Sequence, residues 1–322
     1  MDYSKFAGQK VFITGGSGFI GSHLIRKLKE VGAIIIATEH QTQVYGADYV
    51  VECDVRDIYT LVQAFVEHSP TFVFHLAAEA IVGNSQVNPI TTFHTNVMGV
   101  VNVLAACRGM VKDYGHVFRG IVIASTDKVY GRCKDLPYHE GTKISGYRQF
   151  YEASKVGGDF AARSFTFDDI RLPIGIARFG NVYGPGDTHI DSRLIPQTIF
   201  SFIRGEVLSI RSDGQTKRDY LYIDDVIDSY LRLALYSQTG LYSVFNFGAM
   251  RPIRTLDAVA AIREHFPNSK NPEILNTNLA KQEIPVQYLD ASLAQSELGW
   301  FPLVSFSDGI AKTIAWYKDA YA

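Results

Sequence analysis

Cysteine is scarce in this chain of 322 residues, which has only Cys53, Cys107 and Cys133. The three are widely spaced and form neither a CxxC motif nor a cluster with histidine. A disulfide framework or a zinc site is therefore not expected, and no metal is predicted. Scarce, unpaired cysteines are typical of a reducing compartment.

An excess of one charge and long apolar runs are also lacking. Lys and Arg number 31 against 33 Asp and Glu, the net charge is -2, and no basic tract occurs. These values argue against nucleic acid as a partner. No signal-peptide stretch and no run of about 18 apolar residues is seen, so a cytoplasmic protein without a membrane partner is expected. With 47% apolar residues the chain can bury a full core, and its length fits two lobes.

A glycine-rich turn follows the first predicted strand, Lys10–Thr14. Behind it, apolar residues recur at helical spacing, so the pattern predicts a strand, a tight turn and a helix N-terminus. Such a turn lets backbone N–H groups face a pyrophosphate. Glycines also mark ordinary turns, but this position between strand and helix favours a dinucleotide site. The predicted cofactor contacts of the turn are Gly15, Ser17, Gly18, Phe19, Ile20 and Gly21.

The next apolar run, 33–38, predicts a parallel strand covered on both faces, and it ends at Glu39. An acidic residue at this strand end can accept hydrogen bonds from the adenosine ribose. It would repel a 2′-phosphate, so it favours NAD over NADP. The alternative is a solvated glutamate at the end of a strand.

Two further strand ends are predicted to border the cofactor. Asp54 and Val55 follow a strand at 49–51, where they either border the adenine or belong to an ordinary loop. The strand at 71–76 ends in small residues, which leave room for a ligand at the carboxyl end of a sheet. The predicted contacts there are Leu76, Ala77 and Ala78.

A long helix is predicted at 89–110, after a shorter one at Ile58–His68. Its apolar residues lie on more than one side, which indicates broader burial than a surface helix has. It can serve as a core element, as a subunit interface, or as both.

Chemically active side chains follow the apolar strand at 120–124. Thr126, Asp127 and Lys128 stand consecutively at its carboxyl end, where active sites of doubly wound sheets lie. Tyr151 and Lys155 are four residues apart in a helical pattern, so the phenol and the ammonium share one helix face. A nearby cation lowers the pKa of a phenol, so that it can act as a base near neutral pH.

These motifs together resemble the extended short-chain dehydrogenase/reductase family, and within it the nucleotide-sugar epimerases and dehydratases. The resemblance rests on TGGSGFIG, LAAEA, STDKVYG, YEASK and RFGNVYGPGD in that order, and it continues through RLIP, KRDYLYIDDV and ELGWFP. It implies an α/β fold, namely a Rossmann doubly wound parallel sheet with a smaller α/β carboxyl-terminal substrate lobe. It also implies NAD as cofactor and a nucleotide sugar as substrate.

The implied domains are an NAD-binding domain at 1–178 and a nucleotide-sugar-binding lobe at 179–322. A strand, helix and strand within 220–247 are expected to return to the first domain. The broadly apolar long helix and the helix that carries Tyr151 would lie on one flank of the sheet, so a homodimer through a four-helix bundle is predicted. The family also contains tetramers.

Catalytic roles follow from the resemblance. Tyr151 would take the proton of the sugar 4-OH while hydride leaves C4 for the nicotinamide. Lys155 would lower the phenol pKa and bind the nicotinamide ribose, and Thr126 would orient the 4-OH. Two more residues, Asn96 and Arg178, are predicted cofactor contacts.

Asp127 and Lys128 distinguish a 4,6-dehydratase from an epimerase. The equivalent positions of the family's epimerases are commonly small or neutral, because the oxidised sugar only turns over and takes its hydride back. A 4,6-dehydratase also removes a proton from C5 and protonates the departing 6-hydroxyl, which needs an acid and a base. An Asp-Lys pair is similar to that of CDP-glucose 4,6-dehydratases, so such a dehydratase is predicted. One alternative is an NDP-sugar 4-epimerase or another NDP-sugar oxidoreductase, in which the pair is a strand-end salt bridge. The other is a non-catalytic NAD-binding relative.

Substrate contacts are predicted from the same resemblance. Asn181 and Arg218 would reach the diphosphate, since a guanidinium grips phosphate oxygens bidentately. The motif that begins at Arg193 would face the nucleotide base. Where the family often has a further phosphate arginine, this chain offers only Lys281, which is not assigned. The predicted substrate residues are Glu79, Ser85, Thr126, Asn181, Arg193, Leu194, Ile195 and Arg218.

Overall fold

The structure is a computed structural model that describes residues 1–237, 243–275 and 283–321. Its strands, in chain order, are β1 (Lys10–Thr14), β2 (Ile34–Glu39), β3 (Tyr49–Glu52), β4 (Phe72–His75), β5 (Gly120–Thr126), β6 (Ile174–Phe179), β7 (Asn181–Tyr183), β8 (Ser209–Ile210), β9 (Lys217–Tyr222), β10 (Ser243–Phe247), β11 (Pro252–Arg254), β12 (Glu273–Ile274) and β13 (Val286–Gln287).

Eleven α-helices connect these strands within the described residues. They are α1 (Phe19–Glu30), α2 (Ile58–His68), α3 (Val82–Val87), α4 (Pro89–Phe93), α5 (Gly99–Tyr114), α6 (Phe150–Thr166), α7 (Leu194–Ile203), α8 (Ile223–Ser237), α9 (Thr255–Arg263), α10 (Ser292–Leu298) and α11 (Phe306–Ala320). Short 3-10 turns occur at Tyr3–Phe6 and Asp127–Tyr130.

The central sheet has seven parallel strands among the described residues, in the order β3-β2-β1-β4-β5-β6-β10. Strand order runs outward from β1 in both directions, so a crevice opens at the carboxyl ends of β1 and β4. Apart from the exposed edge strand β3, the strands are largely buried on both faces, which is why they are nearly continuous apolar runs. The predicted doubly wound α/β fold is confirmed.

Helices cover both faces of this sheet. On one face, Leu24 of α1 and Leu231 of α8 pack in one apolar cluster. On the other face, a second cluster joins Phe65 of α2, Val103 of α5 and Ala162 of α6. Burial of these side chains at about 25 cal/mol per Å² of apolar surface is the main force that holds the layers together.

A smaller sheet lies beyond the central one. Strand β9 is its centre, parallel to β7 and β13 and antiparallel to β11. The expected return at 220–247 is corrected in part, because residues 220–222 belong to β9 in the smaller sheet. The rest does return, since α8 packs on the central sheet and β10 pairs with β6.

The long predicted helix is continuous from Pro89 to Tyr114, but a π-helical turn, His94–Met98, separates α4 from α5. Among the described residues it is the one helix long and apolar enough to cross a membrane by length and composition. Half of its most apolar stretch of 18 residues is buried inside the protein. There α5 packs against α2 and α6, as a core helix does.

Candidate active site

Two adjoining cavities lie at the carboxyl ends of the central strands. The glycine cavity, named for Gly15, Gly18 and Gly21 in its wall, has a volume of about 400 Å³. The tyrosine cavity, named for Tyr151, has a volume of about 330 Å³. They meet at the walls that they share, which are formed by Ile20, Leu76, Ala78, Ala80, Ala124, Arg193 and Tyr230.

The glycine turn is shaped to hold a pyrophosphate. A Cβ on Gly21 would lie 2.1 Å from Gly15 O, and one on Gly15 would lie 2.8 Å from Ala77 N. Gly15 also has a φ of 72°, which favours glycine. Because the N-cap residue of α1 is Gly18, no side chain covers the first N–H groups of the helix. These groups and the helix dipole fit a dinucleotide phosphate.

The predicted cofactor residues mostly line the glycine cavity. Among the lining residues, Asp54 forms an ion pair with Arg56, whose Nε lies 2.8 Å from Asp54 Oδ2. The predicted residues in the wall are Gly15, Ser17, Gly18, Phe19, Ile20, Gly21, Asp54, Val55, Leu76, Ala77 and Ala78.

Glu39 and Asn96 do not line the glycine cavity, and their roles as cofactor contacts stay predictions. The Glu39 carboxylate turns to the following loop, where Oε2 accepts a hydrogen bond from Val44 N at 2.8 Å. Thr38 and His40 line the cavity beside it. Asn96 is buried in the π-helical turn and its amide fastens Glu79, accepting from Glu79 N and donating to Glu79 O. Asn96 therefore positions the cavity wall.

Arg178 is corrected as a cofactor contact. Its side chain, on the interior strand β6, is completely buried, and its guanidinium donates two hydrogen bonds to Asp159, at 2.9 and 2.7 Å. A third hydrogen bond goes to Tyr130 Oη. A buried cation needs such a partner, so Arg178 belongs to a core ion pair.

All five predicted catalytic residues line the tyrosine cavity: Thr126, Asp127, Lys128, Tyr151 and Lys155. Thr126 Oγ1 donates to Asp127 Oδ1 at 3.1 Å, and Lys128 Nζ donates to the same oxygen, also at 3.1 Å. The second carboxylate oxygen, Asp127 Oδ2, is buried and has no hydrogen-bond partner within the described part of the chain. An unsatisfied carboxylate oxygen in a cavity is a candidate site for contact with a ligand.

Burial controls the protonation of these groups. It raises the pKa of Tyr151 to about 12, and the Asp127 carboxylate adds to the rise while a hydrogen bond with Thr126 opposes it. Burial lowers the pKa of Lys155 to about 8, and its Nζ donates to Ala124 O at 2.7 Å.

Lys128 shows the same effect of burial. Desolvation lowers the pKa of its amine, and the Arg218 guanidinium adds to this. Asp127 and Glu152 oppose the lowering, because their negative charges favour the ammonium. A lysine whose pKa lies below its ordinary value is better suited to act as a base.

Most of the predicted substrate residues also line these cavities. Asn181, Leu194 and Ile195 line the tyrosine cavity and Glu79 the glycine cavity. Arg193 lines both, and its Nη1 lies 3.0 Å from Asp187 Oδ2, in a carboxylate that is buried.

Ser85 and Arg218 line neither cavity, and their roles as substrate contacts stay predictions. Ser85 is buried, and its Oγ donates to Val82 O at 2.6 Å. The Arg218 guanidinium donates to Ile284 O at 2.7 Å and lies 3.6 Å from Glu283 Oε2, so it is held by the chain before β13. Lys281 lies outside the described residues.

The sequence interpretation missed a buried pair below the glycine turn. Thr14 Oγ1 is 2.8 Å from His75 Nδ1, and it also accepts from Leu76 N and Ala77 N. The pair joins the ends of β1 and β4. Both residues end apolar strands, and a polar residue at such an end is the signal that points to them.

His75 should make the stability of the protein depend on pH. Burial lowers its pKa from 6.5 to about 3, so the folded protein resists a proton that the unfolded chain accepts below pH 6.5. This contribution is complete above pH 6.5 and is lost as the pH falls toward 3. Lowering the pH from 7 to about 4.5 should therefore reduce the free energy of unfolding of the wild type by about 2 to 3 kcal/mol more than that of His75→Asn.

Urea denaturation at several pH values measures this difference. His265→Asn is the control, because His265 is exposed. Parallel pH profiles for wild type and His75→Asn would contradict the expectation.

A parallel sheet whose glycine turn opens onto a Tyr-Lys pair defines a dinucleotide-dependent enzyme of the short-chain dehydrogenase/reductase type. The model of the NAD-dependent epimerase/dehydratase family matches residues 11–248. The chain belongs to this family, and NAD is its cofactor. Within the described ranges, no group of three or more His, Cys, Asp or Glu side chains could hold a metal ion.

Known relatives include enzymes of both reaction types. The chain is 30% identical to dTDP-glucose 4,6-dehydratase 1 of Escherichia coli K12, over 96% of this chain and 92% of the relative. It is 27% identical to UDP-glucuronate 4-epimerase 4 of Arabidopsis thaliana, over 98% and 76%. The structure is similar to a UDP-glucose 4-epimerase of Thermotoga maritima solved with UDP-glucose, with a TM-score of 0.87, 28% identity and coverage of 97% and 100%.

Proposed function

We propose that the chain is an NAD-dependent nucleotide-sugar 4,6-dehydratase. It converts an NDP-hexose, with CDP-glucose as the first candidate, to the NDP-4-keto-6-deoxyhexose. The observation that carries this proposal is the Asp127-Lys128 pair in the wall of the tyrosine cavity, where Asp127 Oδ2 is buried without a partner among the described residues. An acid and a base beside the sugar are what elimination requires beyond oxidation at C4.

The residues of the tyrosine cavity divide the chemistry among them. NAD supplies a hydride acceptor for C4 and the hydride that is returned to C6. Tyr151 removes the proton of the 4-OH and Thr126 orients that hydroxyl. Lys155 places its charge near the phenol, which favours the phenolate. Lys128 accepts the C5 proton, and Asp127 donates a proton to the departing 6-hydroxyl.

The nucleotide is expected at the outer end of the tyrosine cavity. Asn181 at the start of β7 and Arg193 before α7 can contact the diphosphate, and Asp187 holds the guanidinium of Arg193 in place. Leu194 and Ile195 provide an apolar surface for the base. A bidentate contact from arginine to phosphate is a strong, charge-assisted hydrogen bond.

A nucleotide-sugar 4-epimerase is the second candidate. The Asp127-Lys128 contact at 3.1 Å is also what a structural salt bridge would show. In that case Thr126, Tyr151 and Lys155 would suffice, because epimerisation returns the hydride to C4. Similarity to a UDP-glucose 4-epimerase favours this alternative.

Incubation with a panel of NDP-hexoses separates the two reactions. Mass spectrometry should show the loss of one water from the substrate of a dehydratase. An unchanged mass with inverted configuration at C4, seen by NMR, would contradict the dehydratase and establish the epimerase. CDP-glucose, dTDP-glucose and UDP-glucose form the first panel because they differ only in the nucleotide.

The catalytic cycle should not release NADH. The hydride taken from C4 must return to the same sugar, so one bound NAD serves many turnovers. We expect product to form without added NAD and without NADH in the solution, which absorbance of the protein-free filtrate measures. Release of one NADH per product would contradict the closed cycle and indicate a simple sugar dehydrogenase.

We also propose a homodimer formed through the flank of the central sheet. Exposed apolar side chains lie on α4, on the π-helical turn and on α6, where a two-fold pairing of helices can close. They are Ile90, Phe93, Met98, Phe150 and Phe160.

Light scattering at micromolar concentration should give twice the mass of the chain. Phe160→Asp should yield a monomer, because it places a charge in the apolar contact. Leu303→Asp is the control, since Leu303 is exposed in a loop before α11. A monomer mass for the wild type would refute the dimer, whereas a tetramer would extend it.

A further inference from the structure

Gln287 is a buried amide that connects the smaller sheet to the catalytic turn. It lies in β13, opposite Arg218 of β9, and its side chain has no exposure to solvent. Its Nε2 donates to Asp127 O at 3.1 Å, and its Oε1 accepts from Lys128 Nζ at 2.6 Å. One side chain thus contacts both members of the acid-base pair.

The orientation of this amide is fixed by its partners. A backbone carbonyl oxygen can only accept a hydrogen bond, so the NH₂ group of Gln287 must face Asp127 O. The amide oxygen then has to face Lys128. In the reverse orientation the amide oxygen would face Asp127 O and the NH₂ group would face Lys128 Nζ. Neither contact is a hydrogen bond, and the site is fully buried.

Gln287 in turn limits the directions open to Lys128 Nζ. That nitrogen donates to Gln287 Oε1 and to Asp127 Oδ1. A neutral amine has two N–H donors, and these two acceptors use both. The remaining tetrahedral direction carries the lone pair, so it is the one available to a substrate in the tyrosine cavity, which Lys128 lines.

The amide achieves this without adding charge. The charged groups that face Lys128 are Asp127 in its own turn, Glu152 on α6 and Arg218 on β9. A glutamate at position 287 would add a second carboxylate in direct contact with Nζ and would favour the ammonium. A base that must lose its proton is better oriented by a neutral acceptor.

We propose that Gln287 is a positioning residue for elimination, which holds the Lys128 amine toward the substrate through a hydrogen bond oriented by Asp127 O. The inference rests on the proposed function, because it takes Lys128 as the base at C5. It adds a residue from the carboxyl-terminal lobe to the machinery of the central sheet.

Two variants of similar volume test the proposal. In Gln287→Met the acceptor is lost, and we expect kcat for water loss to fall about 10- to 100-fold, with KM and bound-NADH formation near wild type. In Gln287→Glu the acidic limb of the kcat profile should move to higher pH by about 1 to 3 pH units, because the new carboxylate favours protonated Lys128.

Thr313→Val is the matched control. It removes a buried hydrogen bond of the same lobe, from Thr313 Oγ1 to Gly309 O, away from the cavity walls. It should leave the acidic limb and the ratio of hydride transfer to elimination unchanged. The rates of the Gln287 variants and of Thr313→Val are compared at a temperature at which thermal unfolding shows all of them to be folded.

The outcomes separate this inference from the function on which it rests. A wild-type elimination rate in Gln287→Met, together with an inactive Lys128→Met, would overturn the role of Gln287 alone. That role would also be overturned if the acidic limb of the kcat profile did not move in Gln287→Glu. Equal losses of hydride transfer and elimination in Gln287→Met would overturn it as well. A wild-type rate in Lys128→Met would overturn the dehydratase proposal first, and this inference with it.

Discussion

Gly21→Ala should abolish the retention of NAD. The added Cβ would lie 2.1 Å from Gly15 O and 2.9 Å from Gly16 Cα, and both are backbone atoms that cannot rotate away. The turn and the start of α1 must therefore separate by about 1 Å. Because the site depends on exact positioning, we expect the affinity for NAD to fall on the order of 100-fold or more. This strain outweighs the roughly 1 kcal/mol by which alanine favours a helix over glycine.

Calorimetric titration with NAD, and the NAD content of the purified protein, measure this loss. Gly109→Ala is the matched control, because Gly109 also lies inside a helix and its added Cβ would meet only the end of the Asp113 side chain, at 3.9 Å. Undiminished NAD affinity in Gly21→Ala would show that the glycine turn is not the pyrophosphate site.

Local pattern was enough to predict where residues that are close in sequence lie in the fold. The glycine turn and the Thr126-Asp127-Lys128 run each follow one apolar strand, and parallel strands in one sheet bring their carboxyl ends together. Tyr151 and Lys155 needed only helical spacing to share a face. The topology then places these groups around two adjoining cavities.

Side-chain direction and distant partners were not predictable in this way. Arg178 stands at the end of an apolar strand and is predicted from sequence to contact the cofactor, yet its partner Asp159 lies on α6, within the core. Asn96 and Glu39 are close to the glycine cavity, but each hydrogen-bonds to a nearby backbone group. Short polar side chains often take such local partners.

Gln287 shows the same limit most clearly. It stands in a strand of two residues, and its contacts with Asp127 and Lys128 span about half of the chain. No periodicity connects such positions. The pairing of β13 with β9 in the smaller sheet brings the amide to the catalytic turn.

Variants of the acid-base pair should separate elimination from oxidation. Asp127→Asn and Lys128→Met leave Thr126, Tyr151 and Lys155 in place, so hydride transfer from C4 remains available. Losing one general acid or base typically costs about 10² to 10⁴ in rate, or roughly 3 to 5 kcal/mol. These variants should therefore accumulate enzyme-bound NADH with substrate while forming little 4-keto-6-deoxy product.

Tyr151→Phe should behave differently, because it removes the group that takes the 4-OH proton. Neither NADH nor product should then form, and the two signals should fall together. The contrast assigns each residue to a step, since a general loss of folding would not leave NADH formation intact in one set of variants and absent in the other. Thermal unfolding checks that all variants remain folded.

Stopped-flow absorbance of bound NADH and mass spectrometry of the product measure both signals in one mixture. Lys112→Met is the matched control for Lys128→Met, because Lys112 is exposed on α5, away from both cavities. If Lys128→Met turns over at the wild-type rate, the 3.1 Å contact with Asp127 is only a salt bridge. The dehydratase proposal then loses its main support, and the 4-epimerase, which needs no base at C5, becomes the better account of the cavity.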